Sequence, residues 1–212
     1  MNLRRLFLSF VLVASSLPVL AVAGPEADKF KKLANPVSTN ADTVEVIEFF
    51  WYGCPHCSDF EPALAEWEKA KGKSIQFKRV PVAFREDFVI HQKLYYSLEA
   101  LGKVHELHGK VFKAIHSEGN RLVTVESITA FIEKNGIDKK TFLDTFNSFG
   151  VASKSAQASQ LAKAYQLDGV PTLAIDGQFL TSGAMAGTNA QALLVADQLI
   201  DAQRQVKKSK KR

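Results

Sequence analysis

The chain has 212 residues, of which 46% are hydrophobic and 23% are charged, a composition typical of a folded globular protein. Its formal net charge is +5, but much of the positive charge lies at the two ends, in Arg4, Arg5 and the Lys- and Arg-rich residues 207–212. The body between them is slightly acidic, which excludes the basic surface that a nucleic-acid-binding protein needs.

The first 23 residues have the pattern of a secretory signal peptide. Two arginines precede an apolar run of about 15 residues over positions 6–20, and Ala21-Val22-Ala23 supplies the small residues of a cleavage site. A membrane anchor is the weaker alternative, because a spanning helix needs about 20 apolar residues. The sequence therefore predicts export, with cleavage near Gly24.

The two cysteines of the chain lie in one short motif, Cys54-Pro55-His56-Cys57, directly after an apolar run that predicts a strand over 44–51. A bridge across two residues closes too small a loop to stabilise the fold much. Zinc needs about four ligands, and covalent haem needs a histidine directly after the second cysteine. The motif therefore predicts a redox-active pair with no metal or other cofactor. Together with export, such a pair favours the bacterial periplasm.

The remaining pattern alternates between strand and helix around one long helical block. The predicted elements in chain order are a helix over 57–71, a strand over 74–82, helices over 88–150, a helix over 153–166, a hairpin over 172–181 and a final helix from 188. This order predicts an α/β protein, a thioredoxin-like fold with an inserted all-helical domain. The predicted domains are 24–87 together with 151–206 for the thioredoxin-like part, 88–150 for the insert, and 207–212 as a basic disordered tail.

Three segments match one known family: Glu48-Phe49-Phe50, the motif at 54–57, and Gly169-Val170-Pro171. With the order of elements, they make essentially the whole mature chain resemble the DsbA family of periplasmic thiol:disulfide oxidoreductases. Pro-His between the cysteines distinguishes that family from thioredoxins, which usually carry Gly-Pro there. The resemblance implies a monomer that donates its disulfide to unfolded or newly exported cysteine-containing proteins. It also implies reoxidation by a quinone-linked inner-membrane partner similar to DsbB.

The position of the motif predicts different roles for the two cysteines. At the start of a helix, Cys54 meets unpaired backbone N–H groups and the positive end of the helix dipole, which favour its thiolate. His56 adds to this effect if it is protonated or donates a hydrogen bond. We therefore expect Cys54 to be the sulfur that substrates attack. Cys57, one turn further on, is expected to be less exposed and to reform the bridge.

Glu48 is the unusual residue of the first strand, because a buried carboxylate is costly unless it is paired or protonated. One interpretation, at the position where the family carries a buried acid, is that Glu48 assists proton transfer at Cys57. The alternative is a structural ion pair with Lys78 or Arg79 on the next strand. Glu45 has the opposite strand parity and is expected to be solvated.

The proline of the third matching segment is the last predicted element of the site. The resemblance implies that the Val170-Pro171 bond is cis and lies beside the disulfide. The Val170 backbone would then pair with an extended substrate as an added strand. An ordinary turn with a trans bond is the alternative.

Two histidines of the helical block, His105 and His108, are three residues apart and could share a helix face. Packing or surface roles are favoured over a metal site, because no further ligand is predicted beside them. Alternative functions for the whole chain are a disulfide isomerase or reductase. A non-catalytic chaperone or a metal-binding module on the same fold is a third alternative.

Overall fold

The structure is a computed structural model that describes residues 26, 28–39 and 42–210. The predicted signal peptide at 1–23 and the last two residues of the predicted tail lie outside these ranges. Within the described part of the chain, no helix is both long enough and apolar enough to cross a membrane.

A five-stranded sheet forms the centre of the fold. Its strands are β1 (Lys31–Lys32), β2 (Val44–Phe50), β3 (Ile75–Pro81), β4 (Thr172–Ile175) and β5 (Phe179–Thr181). The spatial order is β1-β5-β4-β2-β3, in which β2 and β3 are parallel and every other pair is antiparallel. All residues of β2 are buried, because this strand lies inside the sheet and both of its faces are covered.

Eight α-helices surround the sheet in the described residues. They are α1 (Pro55–Lys71), α2 (Val89–Ala100), α3 (Val104–His116), α4 (Val125–Lys134), α5 (Lys139–Phe146), α6 (Phe149–Ala164), α7 (Gly183–Ala186) and α8 (Asn189–Lys210). Helices α2 to α5 come between β3 and α6, and α6 leads back to β4. This arrangement confirms the predicted α/β class with a helical insertion, whereas the boundaries at 87/88 and 150/151 stay predictions.

Two hydrophobic cores cover the two faces of β2. Val46 belongs to one core and Phe49 to the other, as the alternation of a strand requires. Helices α1 and α8 complete the first core, and the helical insert completes the second. The carboxyl end of β2 therefore lies where the sheet meets the insert, and the cysteine motif follows directly after it.

The start of α6 differs from the sequence-based prediction. The sequence predicts a helical block through residue 150 and the next helix over 153–166, but α5 ends at Phe146. The side chain of Ser148 accepts a hydrogen bond from the Val151 backbone N–H and starts a new helix. Phe149 consequently opens α6, and 87% of its surface is exposed.

The predicted disordered tail is wrong for its first residues, because α8 continues through Lys210. Contacts with the body of the protein support this extension. Arg204 Nη2 donates a hydrogen bond to the Ser74 carbonyl at 2.9 Å, and Lys207 Nζ lies 2.9 Å from Asp176 Oδ1. The charge of residues 207–212 therefore predicted disorder for the end of a helix that a hydrogen bond and an ion pair attach to the body of the protein.

Candidate active site

Helix α1 begins at the cysteine motif. Cys54 is the N-cap residue with an extended backbone, and Pro55 opens the helix. Proline suits this first position because its missing N–H would have no partner within the helix. The Ser58 N–H donates to the Cys54 carbonyl at 3.1 Å, which closes the first turn. The sequence therefore places Cys54 at the positive end of α1, with Cys57 one turn inside.

Cys54 is the better anion of the two thiols. Its pKa is lowered from 9.0 to about 6, chiefly by a hydrogen bond from the Cys57 thiol, against the opposing effect of burial. The backbone N–H groups of Cys57 and His56 and the His56 side chain contribute further. Its Sγ also lies 3.4 Å from the Val170 carbonyl oxygen.

Cys57 is fully buried, and its pKa is raised far above the ordinary value. Burial is the largest cause, followed by the hydrogen bond to Cys54 and by the negative charges of Cys54 and Glu48. Cys57 is therefore much the weaker acid of the two thiols. The pKa values of the two thiols are thus shifted in opposite directions, as the positions of the two residues on the helix predict.

The Val170-Pro171 bond is cis, and its backbone lies against Cys54. A groove of about 590 Å³ begins here, and its lining includes His56, Pro171 and Met185. His56 is exposed beside it. The structure thus brings the motif and the third matching segment together at one surface groove.

Glu48 is completely buried at the middle of the sheet. Its Oε2 lies 3.2 Å from Nε of Arg79, its register partner on β3, without the alignment of a good hydrogen bond. Burial raises the pKa of Glu48 to about 8, against the opposing charge of Arg79. Of the two predicted partners, Arg79 therefore forms the ion pair with Glu48, and Lys78 pairs with Glu45 instead. Glu48 can therefore hold a proton near Cys57, whose pKa its charge affects.

The prediction that Glu45 is solvated is wrong. Only 6% of its surface is exposed, and its carboxylate pairs with Lys78. Its backbone N–H also approaches Asp176 Oδ1 at 3.4 Å. Strand parity correctly separates Glu45 from Glu48, but both faces of β2 are covered, so parity does not imply exposure.

Three residues that the sequence did not assign to the site extend the buried polar cluster. Glu61 on α1 lies 3.1 Å from Arg79 through Oε1, and its Oε2 lies 3.4 Å from His108 Nε2. The other ring nitrogen, Nδ1, lies 2.8 Å from the hydroxyl of Tyr52. Glu61 had a signal, since it follows Cys57 by one helical turn. His108 and Tyr52 meet only through the tertiary fold.

Glu48, Glu61 and His108 have ligand-type atoms within 4.8 Å of one another, a spacing that a metal ion could use. However, the Arg79 guanidinium already contacts both carboxylates. Its positive charge would repel a cation at the same position. The arrangement therefore suits proton exchange better than metal binding.

The loop before the motif is held by the helical insert. The ring of Trp51 stacks on Phe88 with centroids 3.7 Å apart, and His116 Nε2 donates to the Tyr52 carbonyl at 2.8 Å. A Cβ added at Gly53 would lie 2.3 Å from the Trp51 ring. Position 53 therefore requires glycine, because any side chain there would collide with the stacked Trp51 ring.

Comparison with known proteins gives a consistent result. The sequence matches the DSBA-like thioredoxin domain family over residues 63–196. A thiol:disulfide interchange protein DsbA of Burkholderia cepacia is 43% identical over 188 residues, covering 89% of this chain and 88% of that protein. The Pseudomonas aeruginosa protein of the same name is 35% identical over 206 residues, covering 95% and 98%. The crystal structure of Pseudomonas aeruginosa DsbA has a TM-score of 0.82 at 37% identity, covering 85% of this chain and 95% of that one.

The fold, the dithiol at the start of α1 and the adjacent cis proline define a thiol:disulfide oxidoreductase of the thioredoxin-like class. The extent of the matches identifies the family within this class of protein. The chain belongs to the DsbA family. The resemblance that the three sequence segments indicated is therefore confirmed. The chain is therefore an enzyme, in preference to the non-catalytic chaperone or metal-binding module.

Proposed function

We propose that the chain donates its Cys54–Cys57 disulfide to newly exported, cysteine-containing proteins. The observation that carries this direction is the opposite shift of the two thiol acidities. The pKa of Cys54 is lowered to about 6, whereas that of Cys57 is raised. A low-pKa thiol is the better leaving group, so a mixed disulfide at Cys54 breaks in favour of the oxidised substrate.

The reaction proceeds in two exchanges. A substrate thiolate attacks the Cys54 sulfur, the Cys54–Cys57 bond breaks, and Cys57 leaves with the electron pair and takes up a proton. A second substrate thiolate then attacks the substrate sulfur of the mixed disulfide, and Cys54 leaves as a thiolate. The substrate loses two electrons, and the protein gains them as a dithiol.

Glu48 supplies the proton that Cys57 needs. Burial raises the pKa of this carboxyl to about 8, so it carries a proton at neutral pH. Cys57 is fully buried and cannot take a proton directly from bulk water. After donation, the Glu48 carboxylate is stabilised by Arg79, 3.2 Å away.

The magnitude of the driving force follows from the Cys54 acidity. A pKa lowered from 9.0 to about 6 favours the reduced protein about tenfold at about pH 7, or roughly 1.4 kcal/mol. For a two-electron couple this makes the disulfide about 30 mV more oxidising. Screening by water at the exposed edge of the sulfur makes this an upper bound. The gain is lost as the pH falls through about 6 and grows as the pH rises towards 9.0.

Substrates bind in the groove beside the motif as an extended segment. The Val170 backbone adjoins Cys54, and the groove beyond it has room for a peptide chain. An added strand would pair its main chain with Val170 while its cysteine reaches Cys54. We therefore assign Val170 and Pro171 to substrate binding and Cys54 to the chemistry.

The donor cycle also requires an electron acceptor that restores the disulfide. We assign this step to a quinone-linked inner-membrane oxidase similar to DsbB, acting on a monomer in the bacterial periplasm. The signal-peptide pattern over residues 1–23 supports the compartment, because it predicts export. Size-exclusion chromatography with light scattering tests the monomer. Reoxidation by quinone-loaded inner-membrane vesicles tests the partner.

Redox equilibration against glutathione tests the direction of the reaction. We expect a potential above that of thioredoxin, whose value is about −270 mV. A potential at or below thioredoxin's would favour the reductase alternative and reject the donor role. In parallel, the Cys54 thiolate of a Cys57→Ser variant should attack a disulfide-containing peptide, release one peptide thiol and remain trapped as a mixed disulfide, whereas Cys54→Ser should trap none.

A further inference from the structure

A series of buried polar contacts continues from Glu48 to helix α3 of the insert. Arg79 contacts Glu48 at 3.2 Å and Glu61 at 3.1 Å. Glu61 Oε2 in turn lies 3.4 Å from Nε2 of His108. Proton donation by Glu48 does not by itself require the last of these residues, and His108 has no part in the reaction as derived above.

The protonation state of His108 follows from its two neighbours. Burial lowers the pKa of His108 and raises that of Tyr52, so the imidazole is neutral and the phenol keeps its proton. The Tyr52 hydroxyl, 2.8 Å from Nδ1, donates to that nitrogen. A neutral imidazole has one N–H, which must then be on Nε2. That N–H is on the nitrogen that lies 3.4 Å from Glu61 Oε2, a contact without the alignment of a good hydrogen bond.

Glu61 is held as an anion by this contact. Burial opposes its ionisation, but the contact with His108 and the charge of Arg79 keep its pKa below the ordinary value. An ionised Glu61 competes with Glu48 for Arg79. It also repels a negative charge on Glu48, whose pKa it raises.

We propose that His108 is a positioning residue for proton transfer at Cys57, which it influences by fixing Glu61 as an anion beside Arg79. In this arrangement Glu48 does not have Arg79 to itself, and it retains the proton that it passes to the Cys57 thiolate. No electrons move in this step: the proton leaves the Glu48 carboxyl and bonds to the Cys57 sulfur. The inference rests on the proposed role of Glu48.

The charges around His108 support this account. The groups facing it are Glu61 and Glu68 on α1, Glu48 on β2, Arg79 on β3, Tyr52 in the loop before the motif and Tyr95 on α2. Arg79 is the single cation of this set, and it contacts all three carboxylates. Ionisation of Glu48 would therefore add charge to a cluster that is already negative.

The test isolates the step in which Cys57 gives up its proton. The Cys54 thiolate of the reduced protein attacks the disulfide of 5,5′-dithiobis(2-nitrobenzoate) in a rapid first phase, which forms a mixed disulfide at Cys54 and releases one thionitrobenzoate. Cys57 then loses its proton to the Glu48 carboxylate, attacks the Cys54 sulfur and expels thionitrobenzoate. The rate of this release, measured by stopped-flow absorbance, should rise with pH through the pKa of Glu48.

Replacing His108 should move this inflection to lower pH. In His108→Phe, Glu61 loses its donor and Arg79 becomes free to pair with Glu48, so we expect a shift of at least about one pH unit, or about tenfold in rate on the rising limb. His108→Gln keeps an N–H for Glu61 and should restore the wild-type profile. Glu61→Gln should shift the profile as His108→Phe does, and the double variant should shift it no further.

Glu48→Gln separates the two proposals. If it abolishes the inflection while His108→Phe and wild type superimpose, the inference about His108 is overturned and the Glu48 role stands. If Glu48→Gln keeps the wild-type inflection, both are overturned. Should His108→Phe fail to fold, Glu61→Gln decides, because an unshifted profile in that nearly isosteric variant would remove the link between His108 and Glu48.

Discussion

The Cys57 thiol is the largest contributor to the acidity of Cys54, and its replacement gives the most direct test of the site. In Cys57→Ala the hydrogen bond to the Cys54 thiolate is absent. A hydrogen bond to a charged group contributes about 1.5–3 kcal/mol, which corresponds to roughly 1–2 pKa units. The pKa of Cys54 should therefore rise from about 6 to about 7–8.

Cys57→Ser provides the matched control, because its hydroxyl keeps a donor at the same place. Each variant has a single thiol, so ultraviolet absorbance of the thiolate against pH reports Cys54 alone. We expect the serine variant to titrate near the wild-type value and the alanine variant clearly above it. If the two variants titrated together, the hydrogen bond would not be the cause, and the backbone N–H groups of α1 would have to account for the acidity.

Three further predictions concern single positions around the motif. His56→Leu should raise the pKa of Cys54 by less than Cys57→Ala does, because His56 is a smaller cause, and should lower the redox potential measured against glutathione; an unchanged potential would refute this role. Gly53→Ala should cost about 1–3 kcal/mol in urea unfolding, because its Cβ would lie 2.3 Å from the Trp51 ring; an unchanged midpoint would contradict the steric argument. The raised pKa of Glu48 means that the native state binds a proton which the unfolded state releases, so this group lowers stability as the pH rises from 4.5 to about 8. Glu48→Gln should reduce that slope between about pH 5 and pH 8, and a variant with the wild-type slope would assign the proton elsewhere.

The parts of the molecule that depend on local patterns could be predicted from the sequence. The strand at Val44–Phe50 follows from an apolar run, and the helix after it follows from apolar residues at helical spacing, although α1 begins at Pro55, two residues before the predicted start. The Thr124 cap of α4 follows from the same local rules. The cis bond at Val170-Pro171 did not: only the family resemblance indicated it, because a trans bond is the ordinary expectation.

The parts that depend on distant contacts could not be predicted in the same way. Strand parity separated Glu45 from Glu48, but exposure depends on what covers each face, and both faces of β2 are covered. Arg79 was one of two candidate partners for Glu48, and the parallel register of β2 and β3 decides between them. His108 reaches the cluster from the insert, where no local pattern indicates its partner.

The spacing of the two cysteines explains why the acid lies inside the protein. The first sulfur is at the helix start, where N–H groups stabilise its anion; the second is one turn further in and faces the core. Each shift reinforces the other, because the anion on Cys54 raises the pKa of Cys57 and the Cys57 thiol lowers that of Cys54. The reduced site therefore carries one negative charge, on the sulfur that meets substrates. A proton donor at the surface could serve only Cys54, whose thiolate needs no proton. Proton exchange is confined to the buried sulfur, and Glu48, the donor that we propose, is buried as Cys57 is.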